Sequence, residues 1–411
     1  ILSFFIAILA YPVSGTPFLD LHSAFFSILG IYCVILAIIK NNYIYWSLSS
    51  IFLCLAFFSK QVPAGYVIIC VSFINLYLLL DKKSFKPLIY YSTGALLFLV
   101  SLGIFLFLKK ISFQDFILQV FLFPQSIGGD RYSSYGLNFH NVFLNFKFIH
   151  IVLIMIIFIN FYNLIKIKKY YRTDKFYIFL IILSYSFSML THQIYTKNQI
   201  YIFYLIPVLS GFFFYYLANL NYRFDKILTF SIIILCMGTT IKYNKRFNIE
   251  RKFHELSSVN FEDTIELENF DNKLKGLKWI SPYYQNPKTE INNILKLYNL
   301  LLKDEKNKML ISEYNFFSSI LEEKLYSPSR TYDDISFPKK NSKYFARYKY
   351  FFTNIIKKNK INNIYIFEPT EITEDRLNFL VFNYISKNCF DLKQKELFLI
   401  ILKTKSCSDL N

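Results

Sequence analysis

Long apolar stretches alternate with short polar ones along the first 245 residues of the chain. A bilayer core about 30 Å thick requires about 20 apolar residues of helix. Nine stretches approach this template, and each predicts a membrane-spanning helix. Their approximate limits are 1–13, 21–39, 44–59, 63–80, 88–108, 148–165, 176–191, 200–220 and 227–243.

After Lys242 the pattern changes to the mixed polarity of a soluble domain. Helical spacing of apolar residues predicts three helices, and short apolar runs predict three strands. The predicted helices lie near 289–303, 343–358 and 373–386, and the predicted strands lie at 308–312, 364–367 and 397–402. Strands that alternate with helices indicate a small α/β domain. The sequence therefore predicts a polytopic α-helical membrane core at 1–245 and an α/β domain at 246–411.

Charge separates the same two parts. The chain has 411 residues, of which 54% are hydrophobic, and a net charge of +18. The first 245 residues hold 19 Lys and Arg against six Asp and no Glu, which gives 13 of those 18 charges. Most of these cations lie in short loops between apolar stretches, as the positive-inside rule predicts. Basicity here indicates contact with membrane lipids and not a nucleic-acid partner.

The loops also predict which side of the membrane each one occupies. Four short loops carry most of the cations, and we expect them to be cytoplasmic. These cations are Lys40, Lys82, Lys83, Lys86, Lys166, Lys168, Lys169, Arg172, Lys175, Arg223 and Lys226. Asp20, the loop at 109–147, the segment at 192–199 and the C-terminal domain are then outside. The 109–147 loop is long enough to be functional, and we expect it to form a lid on the membrane surface.

Asp20 is unusual for its surroundings, because it is one of only six carboxylates in the first 245 residues and lies at the start of an apolar stretch. An Asp at a helix N-terminus can be a simple cap. Alternatively, Asp20 and His22 point into a cavity, where they bind a divalent cation such as Mg²⁺ or Mn²⁺, or orient a polar acceptor.

Several further polar residues fall on the predicted outer side. Lys60 and Gln61 lie in a hairpin between two apolar stretches, where the Lys either snorkels to the interface or binds a lipid phosphate. Arg131 and His140 lie in the long loop. His192 and Lys197 form a third polar group. We interpret the convergence of these residues on one side as a candidate phosphate-binding site.

Three segments resemble known proteins: FLDLHSAFFSILGIY (18–32), LCLAFFSKQVPAGYVII (53–69) and YTKNQIYIFYLIPVLSGFFFYYL (195–217). They are similar to the membrane core of GT-C glycosyltransferases, in the branch of the dolichyl-phosphate-mannose protein mannosyltransferases and aminoarabinose transferases. The resemblance covers about residues 1–245. It matches Asp20 to an Asp that opens a helix, Ser59 and Lys60 to a Ser/Thr-Lys pair, and Tyr204 and Pro207 to a Tyr and Pro helix.

The resemblance implies transfer of a sugar from a polyprenyl-phosphate donor to a lipid, glycan or protein acceptor on the outer side of a bacterial inner membrane. For this reaction Asp20, with its neighbour His22, is the catalytic candidate. The substrate phosphate would be bound by the matched residues Lys60 and Tyr204 and by the other polar residues of the predicted outer side, which are Gln61, Arg131, His140, His192 and Lys197. The chain starts at Ile1 inside an apolar run, so we expect an N-terminally incomplete sequence. The family's principal acid would then precede Ile1, and Asp20 would be a second, supporting acid.

Other functions fit parts of the pattern. A polymerase or ligase of lipid-linked glycans also uses a long outer loop with Arg and His, although it usually lacks a large C-terminal domain. A transporter or flippase would be expected to show repeated halves, which this sequence lacks. Cys389 and Cys407 could form a disulfide in an oxidising compartment or remain two reduced thiols.

Overall fold

The computed structural model divides the chain into two compact units. It describes residues 1–10, 19–125, 138–196 (without the side chain of 196), 202–218, 225–250, 256, 258–268, 270–284, 286–333, 337–338 and 340–407. The first unit, here called the membrane unit, comprises Ile1–Lys110 and Ser134–Lys252. The second, here called the C-terminal unit, comprises Ile111–Ser133 and Phe253–Asn411. The boundary expected after residue 245 lies a few residues before the end of the membrane unit.

Helices are the only regular secondary structure among the described residues of the membrane unit, and the C-terminal unit mixes helices with strands. The α-helices are α1 (Leu2–Ala10), α2 (Leu19–Lys40), α3 (Ile44–Ser59), α4 (Gln61–Lys82), α5 (Lys86–Leu108), α6 (Phe113–Ile117), α7 (Lys147–Lys166), α8 (Asp174–Thr196), α9 (Leu205–Leu217), α10 (Asp225–Lys245), α11 (Pro287–Lys303), α12 (Phe317–Ile320), α13 (Phe345–Lys358) and α14 (Glu374–Leu377).

Six of the described helices are long and apolar enough to cross a membrane, namely α2, α4, α5, α7, α8 and α10. The predicted number of nine is therefore not confirmed. The apolar stretch at 44–59 forms a helix of 16 residues, and the stretch at 200–220 forms one of 13. At about 1.5 Å per residue the longer of these reaches about 24 Å, which is less than the hydrocarbon thickness of about 30 Å. By length and composition the chain is a multi-pass membrane protein.

Large apolar side chains cover the outside of the membrane unit, most clearly on α5. Leu96, Leu99, Ile104 and Phe107 are all exposed on this helix. A soluble protein rarely exposes such a continuous apolar surface, whereas lipid chains solvate it well. The exposed face of α5 is therefore the surface expected of a helix that contacts lipid.

A glycine allows α3 and α5 to approach each other closely. A Cβ atom at Gly94 would lie only 2.2 Å from the carbonyl oxygen of Ser47 and 2.3 Å from Ser50 Oγ. Ser47 Oγ also donates a hydrogen bond of 2.7 Å to the carbonyl of Tyr90. Small residues at such a contact let two backbones pack tightly in lipid, where the hydrophobic effect does not drive helices together.

Charged side chains join α4 and α8 at one end of the membrane unit. Arg172 Nε lies 3.1 Å from Asp81 Oδ1, and the Tyr177 hydroxyl donates to Asp81 Oδ2. Beside them, Lys82 Nζ lies 3.1 Å from Asp174 Oδ1. We call this part of the bundle the cationic end, because Lys82 and Arg172, from two of the loops predicted to be cytoplasmic, lie there.

The C-terminal unit is built on a four-stranded sheet with the order β3-β4-β6-β5. A separate two-stranded ribbon precedes it. The strands are β1 (Ile265–Glu266), β2 (Lys278–Trp279), β3 (Lys308–Ile311), β4 (Asn363–Phe367), β5 (Phe390–Lys395) and β6 (Leu399–Thr404). Strands β3 and β4 are parallel, whereas β4 with β6 and β5 with β6 are antiparallel. The predicted α/β character of this unit is confirmed.

Side chains of β4 are buried on both faces of the sheet. Ile364 and Ile366 lie in one apolar core, and Tyr365 and Phe367 lie in the other. Neighbouring residues of a strand point to opposite faces, so a continuous apolar run is what a strand covered on both sides requires. The second core also contains the apolar face of α11, as its helical spacing predicted.

Part of the long loop predicted at 109–147 belongs to the C-terminal unit. Helix α6 continues through a π-helical turn at Leu118–Leu122. The Phe123 ring then stacks on Tyr348 with a centroid distance of 5.6 Å, and the Tyr344 hydroxyl donates to Gln125 Oε1 at 3.1 Å. The first part of the expected lid is thus a helix fixed to this unit, and residues 126–137 lie outside the described residues.

A disulfide links the start of β5 to the segment after β6. It joins Cys389 and Cys407, whose Cα atoms are 5.1 Å apart. Of the two states left open by the sequence, the structure has the bonded one. The other described cysteines, Cys33, Cys54, Cys70 and Cys236, are free thiols within the membrane unit.

Candidate functional site

Three polar side chains from different parts of the sequence meet in the membrane unit. Lys60 Nζ donates a hydrogen bond of 2.5 Å to Asp20 Oδ1, and His192 Nε2 lies 2.9 Å from the same oxygen. The side chains of Asp20, Lys60 and His192 are 13%, 30% and 3% exposed. We call these three residues the Asp20 cluster. A carboxylate, an ammonium group and an imidazole are thus held together in a largely buried place.

The short connection between α3 and α4 places Lys60. Its backbone N–H donates to the carbonyl of Ala56 at 3.0 Å and ends α3, while Ser23 Oγ donates to the Lys60 carbonyl at 3.2 Å from α2. Val62 is extended, with φ −118° and ψ 125°. A residue before proline is restricted to this region, so Pro63 helps to define the turn that presents Lys60 to Asp20.

A second polar contact joins α2 and α8, the helices that carry Asp20 and His192. The Tyr185 hydroxyl, on α8, donates to the Ala24 carbonyl, on α2, at 3.2 Å and lies 2.6 Å from the Tyr204 hydroxyl. Ala24 follows Asp20 by one helical turn, and Tyr185 precedes His192 by about two turns. Asp20 with His192 and Ala24 with Tyr185 are therefore successive contacts that fix how α2 and α8 align.

The Asp20 cluster lies far from the cationic end of the bundle. Asp174 belongs to the cationic end and begins α8, and His192 follows it after 18 residues of the same helix. This separation corresponds to about 27 Å along the helix axis. The two charged regions are therefore near opposite ends of the membrane unit, as the alternation of loops predicted.

The structure places the other candidate residues separately. His22 is half-buried on α2, and Gln61 is half-buried at the start of α4. His140 is exposed in a π-helical turn, His140–Leu144. Tyr204 is fully buried and bonded to Tyr185 rather than to the Asp20 cluster. Arg131 and Lys197 lie outside the described residues.

Sequence reasoning missed the residues that support the cluster. Ser23 fixes the Lys60 carbonyl, and Tyr185 ties α8 to α2 and to Tyr204. Neither residue belongs to a recognisable motif. The available signal was the spacing of seven residues between Tyr185 and His192, which places both on one helix face.

The described side chains do not fit a divalent cation at this place. Mg²⁺ and Mn²⁺ prefer several oxygen ligands, and Asp20 supplies the cluster's one carboxylate. Its Oδ1 already accepts hydrogen bonds from Lys60 and His192. In the part of the chain that the structure describes, no three His, Cys, Asp or Glu side chains are grouped to hold a metal.

The cluster can hold an anion beside a carboxylate. An ammonium group has three N–H donors, and among the described residues Lys60 Nζ uses one of them, for Asp20. Both hydrogen bonds that Asp20 accepts from described residues go to Oδ1, which leaves Oδ2 for a hydroxyl donor.

No family model, curated protein or solved structure matches this chain.

Proposed function

We propose that this protein transfers a sugar from a polyprenyl-phosphate donor to a lipid, glycan or protein acceptor at the outer face of a bacterial inner membrane. The observation that carries the proposal is the Asp20 cluster, in which a carboxylate and an ammonium group are paired between membrane helices. Charged groups that are buried among membrane helices are costly and usually have a function. The resemblance of residues 1–245 to GT-C glycosyltransferases supplies the reaction.

Charge supports the outer location of the cluster. The cationic end is the cytoplasmic side by the positive-inside rule, and the Asp20 cluster lies near the opposite end. The Cys389–Cys407 disulfide supports the same orientation, because disulfides persist mainly in oxidising compartments outside the cytoplasm. The C-terminal unit is accordingly extracytoplasmic in this proposal.

In the reaction, the bond between the sugar's anomeric carbon and the phosphate oxygen breaks as the acceptor hydroxyl attacks. Negative charge grows on the departing phosphate, and the remaining N–H donors of Lys60 stabilise it. Asp20 orients Lys60 through their ion pair, and its Oδ2 accepts a hydrogen bond from the acceptor hydroxyl or takes its proton. His192 contacts the same oxygen as Lys60 and helps to hold the carboxylate in place.

The test measures transfer of radiolabelled sugar from polyprenyl-phosphate donors by the protein expressed from its complete reading frame. Lys60→Gln should reduce transfer by about 100-fold or more, because it removes the cation at the leaving phosphate. Lys60→Arg, which keeps the charge, should recover part of the activity. The matched control is Lys82→Gln, which removes a cation from the cationic end.

Three results would contradict this function. Full transfer by Lys60→Gln would exclude the assigned role of Lys60. Equal losses in Lys60→Gln and Lys82→Gln would indicate a general effect on the bundle. Movement of the intact donor across vesicle membranes, without cleavage of the sugar–phosphate bond, would indicate a flippase instead.

A further inference from the structure

A cleft in the C-terminal unit lies beside the edge strand β3, and no residue of the Asp20 cluster lines it. Its volume is about 630 Å³, within the range of small-ligand sites. Lys324, Arg330, Asn315, Gln119, Tyr326 and Phe351 are among the side chains that line it. Asn315 follows the carboxyl end of β3, which pairs in parallel with β4. Ligands of α/β sheets commonly bind at such ends.

Two cations face this cleft without a carboxylate partner among the described residues. The nearest acidic residues in sequence to Lys324 are engaged elsewhere, since Glu322 lies 2.6 Å from Lys273 and Glu323 lies 2.9 Å from Lys308. Lys324 and Arg330 are exposed, and no ion pair is formed by either within the described chain. Two unneutralised cations at the edge of a cleft favour an anionic ligand.

Neutral polar groups are also prepared for a ligand. Gln119 Nε2 is buried at the cleft and has no hydrogen-bond acceptor among the described residues. Asn315 Nδ2 donates at 3.0 Å to the carbonyl of Arg330 and at 3.2 Å to that of Glu313, which fixes the backbone that carries this cation and leaves Oδ1 to accept from a ligand hydroxyl. A buried amide donor without an acceptor costs free energy, so a ligand oxygen that accepts its hydrogen bond would recover that cost.

The aromatic lining is held in an unusual backbone conformation. Tyr326 has φ +45°, in the left-handed region that non-glycine residues rarely adopt. The segment is fixed there by a hydrogen bond of 2.9 Å from Leu310 N–H to the Leu325 carbonyl and one of 2.6 Å from Ser327 Oγ to the Leu310 carbonyl. Strain of this kind is concentrated at ligand sites. The rings of Tyr326 and Phe351 provide apolar surface beside the cations.

We propose that this cleft binds a phosphorylated saccharide, with Lys324 and Arg330 on the phosphate and Gln119 and Asn315 on sugar hydroxyls. The combination of cations, amide groups and aromatic rings suits a ligand that has both a charged and a carbohydrate part. Gln119 comes from the π-helical turn after α6. The packing of residues 113–125 on the C-terminal unit thus completes the site. The proposal does not depend on the transfer reaction at the Asp20 cluster.

The test is isothermal titration calorimetry of the whole chain in phosphatidylcholine nanodiscs. Glucose 1-phosphate should bind at least about tenfold more tightly than glucose or inorganic phosphate, because it uses both parts of the cleft. Arg330→Gln and Lys324→Gln should each weaken binding by about tenfold, since each removes a charge-assisted hydrogen bond. Arg330→Lys should lose less. Lys393→Gln, at an exposed position of β5, is the matched control.

A competition arm distinguishes a free from a lipid-borne ligand. Displacement of glucose 1-phosphate by farnesyl-phosphoryl-glucose would assign the site to a lipid-linked saccharide, and no displacement would assign it to a free sugar phosphate. Asp20→Asn should leave this binding unchanged, even where it abolishes transfer. Equal affinity for glucose and glucose 1-phosphate, or unchanged affinity in both Arg330→Gln and Lys324→Gln, would overturn the proposal. Loss of glucose 1-phosphate binding in Asp20→Asn, with binding retained in Arg330→Gln and Lys324→Gln, would also overturn it.

Discussion

Asp20 and Asp81 are carboxylates of nearly equal exposure near opposite ends of one helical bundle, 13% and 11% respectively. Asp81 accepts from Tyr177 and Arg172, beside the Lys82–Asp174 pair, so that two carboxylates balance two cations.

Asp20 differs in how its partners are exposed. Its partners Lys60 and His192 are 30% and 3% exposed, whereas Arg172, the cation beside Asp81, is 54% exposed. Burial of a carboxylate alone therefore does not distinguish a site from a structural contact. Water competes for the spare donors of an exposed cation, whereas those of a more buried one are kept for a ligand.

Neutralising each carboxylate should have the largest effect. Asp20→Asn should lower sugar transfer by about 100-fold, because Lys60 loses the charge that orients it toward the phosphate. Asp81→Asn has the same change in charge and shape at the cationic end. It should leave transfer within about threefold of the wild-type rate once the amount of folded protein is equalised. Similar losses in the two variants would remove the distinction between them.

The second test removes one hydrogen-bond donor from each carboxylate. His192→Ala and Tyr177→Phe should each lower stability by about 1.5–3 kcal/mol, since each bond has a charged acceptor in a buried place. Thermal unfolding in detergent measures this loss. Only His192→Ala should also reduce transfer, by about tenfold, because the Asp20 carboxylate loses the donor that fixes it. A larger transfer defect in Tyr177→Phe would reverse the comparison.

The sequence allowed much of this arrangement to be predicted, because apolar length and charge act locally. The positions of Asp20, Lys60 and His192 at helix ends on one side followed from the loops alone. The contact of Lys60 and His192 with one oxygen of Asp20 could not be predicted, since it depends on how α2, α4 and α8 are rotated about their axes. Nor did the burial of Tyr204, because a Tyr can face a cavity or a neighbouring helix equally well.

The C-terminal unit shows the same limit. The buried strands β3, β4 and β6 are apolar runs and were predicted, whereas β5 was not. Its sequence, FDLKQK, has only two apolar residues, and the strand lies at the edge of the sheet, where most of its side chains remain exposed. Residues 113–125 were predicted to be part of a lid on the membrane surface. Their packing on the C-terminal unit was not predicted, because no local signal in the sequence shows that Phe123 stacks on Tyr348.

A third carboxylate, Asp304, extends the comparison to the C-terminal unit. Burial alone would raise the pKa of Asp304, but hydrogen bonds from Tyr365 and Asn363 outweigh it and hold the pKa below its ordinary value of 3.8. A lowered pKa contributes stability above the unfolded-state value, and this contribution is lost as the pH falls through the folded-state value. Asp304→Asn should therefore lower stability by about 1 kcal/mol near pH 7 and by less as the pH falls below about 3.8.

The two tryptophans of the chain make this measurement specific. Trp46 lies in the membrane unit and Trp279 in the C-terminal unit, so a Trp46→Phe background leaves Trp279 fluorescence to report unfolding of the C-terminal unit. Asp391→Asn is the control, because Asp391 forms an exposed pair with Lys405. A difference between Asp304→Asn and its parent that stays constant from pH 7 to pH 3 would contradict the assigned hydrogen bonds.

The smallest expected effect concerns the exposed pair beside Asp81. The Lys82 and Asp174 side chains are 47% and 51% exposed, so water and salt screen their attraction. Lys82→Gln should change stability by less than about 1 kcal/mol, and that difference should shrink further at high salt. Thermal unfolding at low and high ionic strength measures both. A loss as large as that of Tyr177→Phe would mean that the cationic end acts as one cooperative network, and Asp81 could then no longer serve as the simple structural counterpart of Asp20.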